Sequence, residues 1–147
     1  MMEFRNRKAK RDYQILKTLE VGIVLTGNEI KSIRVGKLNF KDSYAMIKNG
    51  EVWLYNLHIS PYIKGSYQDY SPTRNRKLLL NKHEIKRFEK KVQEQGLTLI
   101  PIRLYINENS LAKIELALAK GKREYEKRDK IKEREAYREM ESAKFGN

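Results

Sequence analysis

The segment Leu111-Ala-Lys-Ile-Glu-Leu-Ala-Leu-Ala-Lys120 alternates along its length: Ile114, Leu116 and Leu118 fall on one side, Lys113, Glu115 and Ala117 on the other. A period of two is what a half-buried β-strand requires. At Gly121 the alternation stops. Lys122 to Asn147 is nearly all charge, with Tyr125, Ile131, Tyr137, Met140 and Phe145 as its larger apolar residues. These are too few to bury a helix face against a core. The chain therefore divides into a folded body, residues 1–121, and a charged tail, residues 122–147, expected to stay disordered until bound.

A chain of 147 residues suits one domain with a real core. Lysine and arginine number 32 against 19 aspartates and glutamates, a net charge of +13. Such an excess points to a polyanionic partner, and nucleic acid leads. An anionic membrane surface would call for a basic amphipathic helix with a broad apolar face, and none is visible. No apolar run has membrane-spanning length. The basic N-terminus lacks a signal-peptide core. There is no cysteine, which removes disulfides, thiolate metal sites and cysteine nucleophiles. A cytoplasmic monomer is expected.

Working backwards from the organising strand, Asn107 to Ser110 form a turn, and Leu97 to Ile106 form a strand in which Pro101 marks an edge or bulge. Asn81 to Gln95 predicts a helix, with capping-box spacing between Asn81 and Glu84, an inward stripe of Ile85, Phe88 and Val92, and a stop at Gly96. Asn49-Gly50 is a type I′ turn signal joining strands at Phe40–Lys48 and Glu51–Ile59. Tyr44 and Met46 are expected to share one face with Val52 and Leu54, and Trp53 to pack in the core. Tyr13 to Leu25 predicts a strand with a bulge at Gly22. Asn28 is the expected cap of a short helix over Glu29–Val35 that carries Lys31 and Arg34 outward and ends at Gly36, with Lys37 beside it.

Two stretches allow two readings each. The basic residues among 1–11 make either a solubilising arm or a set of phosphate contacts. Tyr62, Tyr67 and Tyr70, which precede Arg74, Arg76 and Lys77, either pack their loop onto the body or stack on RNA bases. Catalysis finds no support. His58 and His83 are isolated, Glu29 and Asp42 pair by nothing but composition, and no phosphate-cradling, nucleophile-elbow or zinc-protease motif occurs. No cofactor or metal is expected. The element order fits an OB-type antiparallel β-barrel with flanking helices.

Several segments carry a resemblance in chain order. They are Asn6-Arg-Lys-Ala9 leading into Asp12-Tyr13, Gly27-Asn-Glu-Ile-Lys-Ser32 with Arg34, Gly36, Lys37 and Asn39, Asp42-Ser-Tyr44, Arg74-Asn-Arg-Lys-Leu-Leu-Leu80, and Ala119-Lys-Gly-Lys-Arg123. Together they resemble the bacterial SsrA-binding protein family, also called small protein B, over almost the whole chain. The resemblance implies binding to the tRNA-like domain of transfer-messenger RNA and delivery of that RNA to stalled ribosomes. It implies RNA contacts at Asn6, Glu20 and Leu79. It implies a hinge at Gly121 and a tail whose Lys122, Arg123, Tyr125, Glu126, Lys127 and Arg128 enter the decoding region and empty message channel. Arg7, Lys8, Arg11, Tyr13, Lys31, Arg34, Lys37, Arg74, Arg76 and Lys77 complete the expected RNA-binding set. Arg11 stands where the family often has His, Asn28 where Thr is common, and Glu126 where Asp is usual. A ribosomal or other structured-RNA protein with a basic tail is the alternative; a small nuclease is a distant third.

Overall fold

Residues 2–62 and 69–122 are described by the computed structural model. The elements are β1 (Met2–Arg5), α1 (Arg7–Asp12), β2 (Tyr13–Ile23), α2 (Gly27–Arg34), β3 (Leu38–Asn39), β4 (Tyr44–Lys48), β5 (Glu51–Tyr55), β6 (His58–Ile59), β7 (Arg76–Leu79), α3 (Lys82–Gln95), β8 (Thr98–Ile106) and β9 (Ala112–Gly121). Seven strands form one antiparallel sheet in the order β1-β8-β4-β5-β7-β2-β9, and β8 also pairs with β9, so the sheet curls into a near-closed ring. Its weakest seam lies between β4 and β8, where Ala45 opposite Leu99 is the register pair. Strands β3 and β6 pair separately.

Ile114, Leu116 and Leu118 turn inward, as their alternation predicts, and meet Val21, Leu54, Leu78 and Leu104 in the core. Helix α3 lays Phe88 onto this core with Ile85 and Val92 beside it. Its Asn81–Glu84 capping box forms, and Gly96 ends it in the left-handed region. The outward row of β9 changes character along its length. Lys113 and Glu115 face solvent, but Ala117 and Ala119 are buried with Ala9, Ile100 and Ile102. Small side chains there let α1 lie close against the sheet.

Residues 1–11 are thus no simple arm from Met2 onward: β1 pairs with β8, and α1 is anchored beside it. Asn6 supplies the anchor. Its side chain accepts from Ala9 N at 3.3 Å, its Nδ2 donates to Pro101 O at 2.8 Å, and its backbone N–H donates to Ile102 O at 2.9 Å. Pro101 sits at a register shift between Pro101 and Arg103, the expected bulge.

Other expectations are corrected. The bulge in β2 falls between Ile15 and Lys17, leaving Leu16 exposed, while Gly22 stays in register opposite Leu79. Thr26, not Asn28, caps α2: its hydroxyl accepts from Glu29 N at 3.2 Å, and Glu29 Oε1 accepts from Thr26 N at 2.9 Å. The Asn49-Gly50 turn forms with φ of 52° and 74°. That turn sets Lys48 opposite Glu51, and the register then puts Met46 opposite Trp53 and Tyr44 opposite Tyr55. Tyr44, Met46, Trp53 and Tyr55 therefore share the outer face, and Ala45, Ile47, Val52 and Leu54 the inner one. The expected grouping was one residue out of phase, and Trp53 is half-buried rather than in the core.

Candidate nucleic-acid interface

Two adjacent strands, β2 and β7, bring the expected RNA-binding residues Glu20 and Leu79 onto one outer face, and β9 and β8 extend that face. On β2, Glu20 and Gly22 point outward between the buried Val21 and Ile23. Gly22 lies opposite Leu79 of β7, whose side chain is 53% exposed although its neighbour Leu78 is buried. An exposed leucine on an open sheet face is a cost unless something covers it. Across β9, Gly22 faces Lys113 and Glu20 faces Glu115.

Glu20 is the unusual member. Two carboxylates directly opposite each other repel. Arg103 Nε reaches Glu115 Oε2 at 2.9 Å, and Glu3 pairs with Arg5 at 2.8 Å with Arg103 Nη1 3.7 Å away, so Glu115 and Glu3 each have a cationic partner. That pairing holds Arg103 more firmly protonated. Glu20 forms no ion pair among the described residues. Tyr105, on the same outer face, has its phenol pushed up to about 12 by burial and then by the nearby Glu20 carboxylate.

A second group surrounds the end of β9. Tyr13 pairs with Gly121, and Lys122 Nζ donates to Lys10 O at 3.2 Å. The chain leaves the ring beside α1, which carries Arg7, Lys8, Lys10 and Arg11. An open groove of about 690 Å³ lies between β1, the start of α1 and the β3 region, lined by Arg5, Arg7, Lys8 and Lys41 among others. Lys8 also lies 3.8 Å from Asp42. Lys31, Arg34 and Lys37 gather elsewhere, around α2. Lys31 sits over the Tyr62 ring, Lys37 donates to Tyr62 O, and Arg34 donates to Ser110.

Arg74 and Arg76 occupy a different setting from the open basic loop expected. Arg76 is fully buried. Its Nε donates to Glu29 Oε2 at 2.7 Å, and its other nitrogens donate to Leu57 O, Pro72 O and the Tyr70 oxygen. Arg74 is partly exposed and pairs with both oxygens of the same carboxylate. Burial alone would raise the Glu29 carboxyl, but Arg74, the Thr26 amide and the Arg76 charge outweigh it and hold it below its usual range. Tyr70 donates to Ile59 O at 2.8 Å, and its phenol is raised by burial and by Glu29. Lys77 remains at the surface, 3.7 Å from Glu51.

The sequence reading missed Glu29, Arg103 and Tyr105. A Thr-x-x-Glu spacing at Thr26–Glu29 was the available signal for the first. For the others, only the register between β8, β9 and β2 connects them to Glu20. Tyr67, Arg123, Tyr125, Glu126, Lys127 and Arg128 lie outside the described residues. Among the described residues no cluster of His, Asp and Glu could hold a metal ion, and no helix is long and apolar enough to cross a membrane.

With this geometry in place, comparison with known proteins is decisive. Residues 3–145 match the family described as SmpB protein. The chain belongs to the SmpB family. Relatives agree. The SsrA-binding protein of Desulfitobacterium hafniense (strain DSM 10664 / DCB-2) is 58% identical over 136 residues, 92% of this chain and 86% of that protein. The SsrA-binding protein of Carboxydothermus hydrogenoformans is 55% identical over 138 residues, 94% of this chain and 92% of that one. A solved chain from "tmRNA-SmpB: a journey to the center of the bacterial ribosome" superposes with a TM-score of 0.70 at 52% identity, covering 82% of this chain and 84% of its own. In this SmpB family member, then, the outer face around Glu20, Gly22 and Leu79 and the exit of the chain at Gly121 are separate places on one ring of strands.

Proposed function

We propose that this chain binds the tRNA-like domain of transfer-messenger RNA and carries it to stalled ribosomes for trans-translation in the cytoplasm, as a monomer and without catalysis. The near-closed ring serves as an OB-type barrel, with its seam at Ala45 and Leu99. One observation carries the reading: Leu79 stands exposed beside Gly22 on the outer face, with Glu20 two residues along the same strand as Gly22. In this reading Leu79 packs on a base or ribose. Glu20 accepts from an RNA donor, since a carboxylate repels phosphate. Recognition rests mostly on shape and backbone, as folded RNA offers phosphates and 2′-hydroxyls more readily than base edges. Arg7, Lys8, Arg11, Lys31, Arg34, Lys37, Arg74 and Lys77 supply phosphate contacts. Tyr13 and Asn6 act where α1 joins the ring. Arg76 contributes by holding β7, because it has no exposed surface.

The tail, residues 122–147, is assigned to the ribosome. Gly121 is its hinge, and Lys122, Arg123, Tyr125, Glu126, Lys127 and Arg128 form the part that meets the decoding region. Pairs at the spacing of Glu124 and Arg128 are worth only about 0.2–0.5 kcal/mol each to a helix, so RNA contacts supply most of the tail's binding energy in this reading. Titrating the chain against transfer-messenger RNA and against ribosomal RNA fragments tests the assignment. Preference for the first is expected. Equal or inverted affinity would favour a ribosomal or other structured-RNA protein.

A further inference from the structure

The outward row that holds Leu79 does not stop there. Lys77, two residues earlier on β7, lies opposite Trp53; Trp53 lies opposite Met46, and Tyr55 opposite Tyr44. The intervening Leu78, Val52, Leu54 and Ala45 are buried, so this row is the outer one. Met46 is 46% exposed, and Trp53, Tyr44 and Tyr55 are half-buried. The two tyrosine rings stack, 5.3 Å between centres and 16° between planes, so each steadies the other. Tyr44 packs in turn against the cluster that holds Ala9, and the strip therefore runs from Leu79 to the helix that carries Lys8 and Arg11. Beside Tyr44 a hollow of about 250 Å³ is lined by Lys8, Tyr13 and Asp42 among others.

Half-buried rings gathered on an outer sheet face mark a place where something binds. The charge says what. The core of a protein–protein interface is poor in lysine, whereas Lys48 and Lys77 stand within this strip and the chain carries +13. Rings interleaved with cations suit unpaired nucleic acid, because bases stack on the rings while the cations follow the backbone. Glu51 lies 3.7 Å from Lys77, but both side chains are exposed, and so weak a pair yields readily to phosphate. We propose that Trp53, with Tyr44 and Tyr55 beside it, is a stacking platform for unpaired bases of the bound RNA, continuing the Leu79 contact around the ring toward α1. The inference rests on the reading of Leu79 as an RNA contact.

Trp53 is the chain's single tryptophan, so its fluorescence reports on the platform directly. In the full chain, transfer-messenger RNA should quench that fluorescence in step with binding and shield it from acrylamide. Trp53→Val keeps a strand-forming side chain without the ring and should weaken binding roughly ten-fold, while Trp53→Phe should lose much less. The slope of affinity against salt should match the wild type in both variants, since no phosphate contact is removed. Acrylamide access unchanged by RNA, or Trp53→Val binding like the wild type, overturns the platform. Leu79→Ala then separates the two readings: weakened binding leaves the Leu79 contact standing and gives the strip to a protein partner, and unaltered binding overturns both. Should Trp53→Val fold poorly, the wild-type fluorescence decides alone.

Discussion

Gly22 and Leu79 face each other across β2 and β7, and a Cβ placed on Gly22 would come within 3.3 Å of Leu79 Cδ1. The glycine keeps room for an exposed leucine; it does not bend the strand. Gly22→Ala should therefore separate stability from binding. The strand gains a residue better suited to it, by roughly 0.5–1 kcal/mol, while the free end of Leu79 is displaced. Thermal unfolding should be unchanged or slightly higher, and affinity for transfer-messenger RNA lower. A lowered melting temperature with intact affinity would contradict this relationship.

Much of the ring was legible because its signals are local. Asn49-Gly50 specifies a turn, Asn81 and Glu84 specify a helix start, and Ile114, Leu116 and Leu118 specify an inward face. What escaped depended on partners far along the chain. Residues 1–11 read as a basic arm because their anchor, Asn6 to Pro101 and Ile102, spans most of the body. Arg76 read as a surface cation because its counter-charge, Glu29, is 47 residues away. The outer-face cluster was legible only through resemblance, since neither Tyr105 nor Arg103 carries a local mark.

The Glu29 carboxylate should govern acid stability. Its folded value is depressed, so it contributes stability that is fully present above its unfolded value near 4.5 and is lost as pH falls through the lower folded value. Glu29→Gln leaves the buried Arg76 charge uncompensated, and breaking a buried pair in this way costs about 3–5 kcal/mol. Denaturant unfolding near neutral pH should show that loss, and the variant's stability should fall less steeply on acidification than the wild type's. A variant as stable as the wild type at neutral pH would mean the triad is not holding β7.

Asn6 should prove to act on RNA binding through structure. Asn6→Asp keeps an acceptor for the Ala9 amide and removes the donor to Pro101 O. Because a carboxylate oxygen then faces the Pro101 carbonyl with no donor between them, a loss of at least about 1–3 kcal/mol in unfolding free energy is expected. Hydrogen exchange should localise the loosening to α1 and the start of β2. Weakened RNA binding with unchanged protection of α1 would instead make Asn6 a direct contact.

The division of labour between ring and tail is tested most directly by ending the chain at Gly121 and measuring its affinity for transfer-messenger RNA at physiological salt beside the full chain, with trans-translation on stalled ribosomes as the second readout. The account predicts retained specific affinity and no trans-translation. Loss of RNA binding on truncation, or rescue activity without the tail, would contradict it.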